Sequence, residues 1–351
     1  MFAKQTTMSA SLVLWLFGAT PALADESTPQ VPETGEVHQP SGRFQIGAGF
    51  SSEESFVAQA EIAQDDLFGT GTQLSMTARI SRLRQLFDVH VGHEHLLDTD
   101  WGISSDVYAD ARVLPGLTRK AAGWKTDISH PLGENARAFI GYRIEQVTAT
   151  DTLAESARSI DTYLPPLGGG TLSALRGGLE WSNVDPLETR GARMGAVVEV
   201  ADPMLGSDYD LTKIHAFAQS HVPLGPFVLH LSGGLESVLG DAPRSERIYL
   251  GMNDVRGFGP GAFGPINGLG QPVGGNLELR GSAELEIPVS RRYGVSLVGF
   301  YDAAAITSDG RGQAGASVGF GVLWRSPIGN LRFDWAFPLD GDGRPHFVFG
   351  M

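Results

Sequence analysis

The clearest pattern in the chain is a strict alternation of polar and apolar residues. From residue 276 to residue 287, the even positions are polar or charged, and the odd positions are leucine, isoleucine, alanine or glycine. Successive side chains of a β-strand point to opposite faces, so this segment predicts a strand with one polar and one apolar face. Similar alternation surrounds Met76, Val89, Ile140 and Phe333.

Applied along the whole chain, this criterion predicts sixteen antiparallel strands and no amphipathic helix of useful length. The predicted strands cover residues 43–50, 55–64, 70–81, 85–95, 102–112, 118–129, 134–147, 171–182, 190–200, 211–221, 226–238, 276–287, 293–304, 313–324, 329–337 and 345–350. Two predicted connections on one side are long, at about residues 148–170 and 239–275, whereas the turns on the other side are short.

Alternation alone is compatible with two architectures. In a water-soluble sandwich the apolar faces form the core, whereas in an outer-membrane barrel they contact lipid and the polar faces line the lumen. An even number of strands, about 9–11 residues per span, and short turns opposite long loops favour the barrel. The sequence therefore predicts an all-β fold, a sixteen-stranded antiparallel transmembrane β-barrel over residues 43–351.

The first 42 residues differ in composition from this body. Lys4 precedes a short apolar run, and Ala22-Leu23-Ala24 has the small-residue pattern of a cleavage site, so residues 1–24 are predicted to be a secretory signal peptide. Residues 25–42 are acidic and contain three prolines, which predicts a flexible linker because such a segment buries little apolar surface. Export leaves a soluble exported protein or an outer-membrane barrel, and with the predicted barrel we expect the outer membrane of a Gram-negative bacterium.

Charge and cysteine content exclude several classes of function. The formal net charge of −14 argues against nucleic-acid binding, which needs a basic face. The absence of cysteine excludes disulfides, thiolate metal sites and cysteine nucleophiles. The densest histidine cluster is His90, His93, Glu94 and His95, but on a strand its members alternate between faces, so we assign no metal, cofactor or catalytic residue.

One motif, Val255-Arg256-Gly257-Phe258, resembles a signature of outer-membrane assembly barrels of the BamA/TamA type, the bacterial surface antigen family. The resemblance extends over residues 43–351 and is strongest after residue 248. It rests further on Gly274-Gly275-Asn276, Glu284-Leu285-Glu286-Ile287-Pro288, Phe300-Tyr301-Asp302, Ser317-Val318-Gly319-Phe320-Gly321 and the segment 326–336.

This resemblance implies a sixteen-stranded barrel whose long sixth external loop folds back into the lumen, with the Val255–Phe258 motif at its tip. Arg256 would then contact acidic groups on the inner wall, at positions that match Glu286 and Asp302 here, and this pairing would pin the loop. Larger family members carry periplasmic POTRA domains before the barrel. Because residues 25–42 are too few for such a domain, we expect a member without them.

Three hypotheses about function remain open at this stage. The first is a factor that inserts or translocates client outer-membrane proteins, in contact with outer-membrane lipid and a separate periplasmic partner. The second is a structural or weakly permeable barrel without insertase activity. The third is an outer-membrane enzyme, which is disfavoured because the sequence offers no recognisable external catalytic arrangement.

Overall fold

The structure is a computed structural model that describes residues 42–51, 54–153, 164–185, 188–251, 254–259, 261, 264–267, 269–308, 310–326, 329–339 and 346–350. The predicted signal peptide (1–24) and residues 25–41 of the predicted linker lie outside the described residues. Gly42 already belongs to the first strand, so strand structure begins one residue earlier than the sequence predicts.

The described chain consists of β-strands joined by turns and loops. In chain order, β1 to β16 are Gly42–Ser51, Ser55–Gln64, Thr72–Ile80, Arg84–His93, Gly102–Leu114, Leu117–Pro131, Ala136–Asp151, Gly170–Ser182, Gly191–Ala201, Leu211–Leu224, Phe227–Gly240, Leu277–Ser290, Val295–Ser308, Arg311–Ser326, Gly329–Pro338 and His346–Gly350. Short 3-10 turns occupy Leu67–Gly69, Leu96–Asp98, Pro203–Leu205 and Arg244–Glu246. Within the described ranges, no helix is both long and apolar enough to cross a membrane.

Each strand pairs antiparallel with the next one along the chain, which confirms the predicted all-β antiparallel architecture. The contact between the first and last strands is much shorter than the others. Among the described residues β1 and β16 share two pairs, Phe50 with Phe349 and Ser51 with Val348, whereas β1 and β2 share ten. The first and last strands therefore form the weakest junction in the sheet; we call it the β1–β16 seam.

The two faces of the sheet have opposite character. On β12, the glutamates at positions 278, 284 and 286 are buried, whereas Leu279 and Ile287 are exposed. The same inversion holds on β14 and β15, where Phe320 and Trp335 are exposed and Asp334 is buried. A polar interior and an apolar exterior are the pattern of a barrel that contacts lipid, because water would drive the apolar side chains inward.

The longest connection, residues 241–276 between β11 and β12, has described residues that bond to the polar face of the sheet; we call it the 241–276 loop. Ile248 forms an isolated bridge with Gly275, which joins the two limbs of this loop near its base. Val255 and Phe258 are buried together with side chains of the strands, including Leu172 and Ile306. The apolar contacts of this loop therefore form the small hydrophobic core of the molecule.

Candidate functional site

The Val255–Phe258 motif is held in a compact turn at the inner tip of the 241–276 loop. The Asp254 and Val255 amides donate to the Gly251 carbonyl at 3.0 and 3.2 Å, and the Phe258 amide donates to the Val255 carbonyl at 3.3 Å. Asp254 accepts a further hydrogen bond from the Gly251 amide at 3.0 Å. With Val255 and Phe258 buried, the turn directs Arg256 toward the inner wall of the sheet.

Gly257 allows the tip to lie directly against β15. Its φ angle is +95°, in the left-handed region that glycine adopts without steric cost. A Cβ atom at this position would lie 3.2 Å from the Pro338 Cδ and 3.3 Å from the Ala336 Cβ. The motif therefore needs glycine both for the backbone conformation and for the close approach to the wall.

Arg256 and Asp302 form a bidentate ion pair between the loop tip and β13. The guanidinium Nε and Nη2 donate to the two oxygens of Asp302 at 2.6 and 2.8 Å, and the Arg256 amide donates to the same carboxylate at 3.2 Å. Asp302 is 3% exposed, and its Oδ1 also accepts a hydrogen bond from the Ser282 hydroxyl at 2.6 Å. Such forked, charge-assisted pairs are stronger and more directional than ordinary hydrogen bonds.

Two further carboxylates on neighbouring strands complete the surroundings of Arg256. Its Nη1 donates to Glu284 on β12 at 2.8 Å and to Asp334 on β15 at 3.0 Å. Arg332 on β15 bonds to both of these acids, to the Asp334 carboxylate at 2.7 Å and to Glu284 at 3.1 Å. Two arginines thus neutralise two of three buried carboxylates; we call these five residues the Arg256 cluster.

An aromatic ring closes the remaining side of the guanidinium. The Arg256 Cζ lies 3.5 Å from the centroid of the Phe300 ring, so the charged plane stacks on the ring face. Burial alone would lower the pKa of Arg256, but the carboxylates, Asp302 foremost, outweigh it and raise the pKa above its usual range. The carboxylates therefore favour the charged form of Arg256.

The structure corrects one predicted partner of Arg256. Glu286 does not contact it; this carboxylate bonds instead to Arg325 at 2.9 Å, to Ser296 at 2.6 Å and to His230 at 3.1 Å. Residues 284 and 286 share the inner face but differ by about 6.8 Å in height along the strand. Alternation fixes the face of a side chain but not the depth that the loop tip reaches, and Arg256 meets Glu284.

A second set of ion pairs holds the N-terminal limb of the 241–276 loop against the opposite wall. Glu246, in the Arg244–Glu246 turn, accepts hydrogen bonds from Arg119 on β6 at 3.0 Å and from Lys213 on β10 at 2.5 Å. Arg244 pairs with Asp151 at 3.0 Å. The loop is thus fastened at two places, and we call the contacts of Glu246 and Arg244 the base anchor.

The Glu246 carboxylate remains ionised inside this anchor. Burial alone would raise its pKa, but Lys213 and Arg119 outweigh that effect and lower the pKa below its ordinary value. Arg119 also bonds to Glu145 on β7, so the anchor continues into the charged inner wall. Loss of the negative charge at position 246 would leave two cationic groups without this partner, so the base anchor depends on the Glu246 carboxylate.

The histidine cluster of the sequence is divided between environments. His90 lies on the inner face, 3.0 Å from the Asp106 carboxylate, whereas His93 lies 3.4 Å from the Thr72 hydroxyl. In the part of the chain that the structure describes, no group of three or more His, Asp or Glu side chains is placed to hold a metal ion.

Four of the residues that hold the loop escaped sequence reasoning: Glu284, Asp334, Glu246 and Arg119. The sequence did point to Glu284 and Asp334, because both lie on the polar face of a strand within the motifs that carry the family resemblance. No signal existed for Glu246 and Arg119, which are 127 positions apart in the chain. The ion pairs of this arrangement can hold the described residues of the loop against the strands.

Comparison with known proteins places these features in a family. Residues 66–351 match the Omp85 superfamily domain. The chain is 28% identical over 334 residues to an outer membrane protein assembly factor BamA of Nitratidesulfovibrio vulgaris, covering 89% of this chain and 42% of that protein. It is 24% identical over 350 residues to the chloroplastic outer envelope protein 80 of Arabidopsis thaliana, covering 90% of this chain and 46% of that protein.

Solved structures show the same fold. The structure of BamA from Haemophilus ducreyi lacking POTRA domains 1–3 matches with a TM-score of 0.74 at 20% identity, covering 89% of this chain and 70% of that chain. CdiB from Escherichia coli matches with a TM-score of 0.62 at 13% identity, covering 92% and 63%. The chain spans less than half the length of these curated relatives. With its family model matched over most of its length, this chain belongs to the Omp85 superfamily of outer-membrane β-barrel proteins.

Proposed function

We propose that this protein assists the insertion or translocation of client proteins at the outer membrane. The observation that carries the proposal is the Arg256 cluster, in which the loop motif of an Omp85 protein is bound to the inner wall by three carboxylates. Relatives that match over most of this chain are named assembly factors. We further propose that a separate periplasmic partner takes part in client delivery.

The working form in this proposal is a closed sixteen-stranded barrel with the 241–276 loop inside its lumen. In this proposal residues 1–24 direct export to the outer membrane, the linker ends before Gly42, and the barrel begins at Gly42. The Arg256 cluster and the base anchor hold the loop on two sides of the lumen. A fixed loop supports the inner wall and leaves the β1–β16 seam as the part of the barrel that can move.

The β1–β16 seam supports a mechanism for insertion. In the described part of the chain β1 and β16 share two residue pairs, so the rest of these edges could pair with another strand. An unfolded client could add its own strand to such an edge and exchange hydrogen bonds with water for hydrogen bonds with the sheet. Strand addition at the seam would lower the barrier for a client to enter lipid, where unpaired backbone is costly.

The experiment is a client-folding assay in proteoliposomes. The full chain is reconstituted in liposomes, and a client barrel unfolded in urea is added. The folded fraction of the client is followed by its heat-modifiable migration on gels. We expect faster client folding than in empty liposomes of the same lipid. The control is a liposome that contains an unrelated barrel with a complete seam, which corrects for disturbance of the bilayer by any inserted protein.

The outcome also decides between this proposal and a structural or weakly permeable barrel. Client folding no faster than in the control liposomes would remove the assembly function. Steady ion conductance across a planar bilayer, together with that result, would favour the permeable barrel. Because the anchored loop crosses the lumen in the proposed form, we expect little conductance from the wild-type chain.

A further inference from the structure

One charged side chain breaks the apolar outer face of the sheet. The alternation and the pairing registers place every other described Asp, Glu, Lys and Arg of the strands on the inner face, and Lys120 of β6 points outward. Lys120 is exposed and, among the described residues, forms no ion pair. A lysine on a lipid-facing surface is costly near the middle of a bilayer and nearly free at its boundary, so its height and surroundings matter.

Lys120 lies at the end of the barrel that carries the long connections. β6 begins at Leu117, and the Gly116 carbonyl just before it accepts a hydrogen bond from Thr152, which starts the connection after β7. Two outward positions deeper on the outer face, Val107 pairs with Trp124 and Trp124 with Ile144, and this row is apolar. Lys120 therefore lies two outward positions from this apolar row, toward the end with the long connections, where we place the lipid headgroups.

Polar side chains accompany Lys120 across the neighbouring strands. The pairing registers align Gln85 with Ala111, Ala111 with Lys120, and Lys120 with Thr148 in one row over β4 to β7. Gln146 projects from β7 one step deeper on the same outer face. An ammonium group, two amides and a hydroxyl thus converge, and these are the donors that bind phosphate oxygens.

Small side chains below this row leave an open trough on the outer surface. Ala109, Ala111 and Ala122 form its floor, and Phe87 and Gln146 stand at its two sides. The trough has a volume of about 370 Å³. That volume lies in the range of about 300–1,000 Å³ that is typical of small-molecule sites. Its apolar floor continues into the lipid-facing belt, so an occupant with an acyl chain would remain in contact with the membrane.

We propose that this trough binds a phosphate-bearing lipid of the external leaflet. Lys120 contacts the phosphate, Gln85, Thr148 and Gln146 donate hydrogen bonds to the headgroup, and an acyl chain lies over the alanines. The argument for this occupant is charge complementarity, because a single cation on an otherwise uncharged outer face selects an anionic lipid from its neutral neighbours. The site lies outside the lumen and does not depend on the proposed assembly function.

The test is native mass spectrometry of the full chain in detergent, titrated with lipid A, a diphosphorylated acylated disaccharide. We expect Lys120→Gln to weaken binding about fivefold or more, and Lys120→Arg to retain it. Ala122→Leu, which fills the trough but keeps the lysine, should also weaken binding. For the wild type, removing the phosphates of lipid A should weaken binding as much as Lys120→Gln does.

A variant with the positive charge moved elsewhere on the outer face distinguishes a specific lipid site at the trough from nonspecific electrostatic attraction. Lys120→Gln combined with Thr212→Lys keeps one outward cation near the same end, but moves it to β10, away from the trough. We expect this double variant to bind lipid A as weakly as Lys120→Gln alone. Wild-type affinity in the Lys120→Gln, relocated or Ala122→Leu variant would overturn the proposal, as would equal binding of inorganic phosphate without any acyl chain.

Discussion

Replacement of Arg256 by alanine is expected to release the tip of the 241–276 loop. Without Arg256, the Arg256 cluster keeps one arginine, Arg332, against three buried carboxylates. Because these carboxylates are buried, water does little to screen their mutual repulsion. Removing one partner of a buried ion pair typically costs about 3–5 kcal/mol. We expect a loss of that order in the free energy of unfolding in urea, followed by tryptophan fluorescence, and cleavage of the loop by proteinase K.

The controls for Arg256→Ala change the balance between arginines and carboxylates in the same cluster. Asp302→Asn alone leaves two arginines facing two carboxylates, so we expect a smaller loss than for Arg256→Ala. Combined with Arg256→Ala, it removes one of the repelling charges and should restore part of the stability. Arg292→Ala, at an exposed arginine in the β12–β13 turn, should change nothing. Wild-type stability and protease resistance in Arg256→Ala would show that the cluster does not fix the loop.

Replacement of Glu246 by glutamine is the second large effect that we expect. Glutamine keeps the volume but removes the charge that Arg119 and Lys213 share, so Lys213 loses a carboxylate partner and Arg119 retains Glu145. We expect the free energy of unfolding to fall by about 3–5 kcal/mol. Proteinase K should cut near residue 246, whereas the Arg256 cluster keeps the loop tip in place.

Acidification provides an independent check of the Glu246 anchor. A carboxyl group whose pKa is lowered on folding stabilises the protein fully above its ordinary pKa, 4.5 here, and loses that contribution as the pH falls through the lowered value. The wild-type loop should therefore resist an acid-active protease to below pH 4.5, whereas proteinase K should cut Glu246→Gln already at neutral pH. Glu134→Gln, at an exposed glutamate in the β6–β7 turn, is the matched control. A Glu246→Gln variant with wild-type protection would contradict the anchor.

The strands and their faces could be predicted because lipid imposes a simple rule on each residue. In β12, every outward position from Leu277 to Val289 is apolar or glycine, and the inward positions include three glutamates. This alternation is local, so it can be recognised without knowledge of the strand partners. The motif around Arg256 likewise pointed to the loop and to Asp302, whose carboxylate the guanidinium meets in the structure.

The depth of the loop tip and the base anchor could not be predicted, because the alternation is a local pattern and these contacts are not local. Glu284 and Glu286 are equivalent in any pattern of period two, and the choice between them depends on how far the loop descends. The meeting of Glu246 with Arg119 and Lys213 depends on the closure of strands that are distant in sequence. Contacts across a lumen arise from the whole barrel, so no local pattern records them.

The role of the β1–β16 seam can be tested most directly with a reversible lock. The chain has no cysteine, so Phe50→Cys with Phe349→Cys introduces a single pair at positions that are partners in the sheet. Directly paired residues of antiparallel strands lie within the reach of a disulfide. The measurement is the rate of client folding in proteoliposomes with the oxidised variant, before and after reductant. We predict no acceleration while the seam is locked and recovery on reduction; equal acceleration in both states would contradict insertion at the seam.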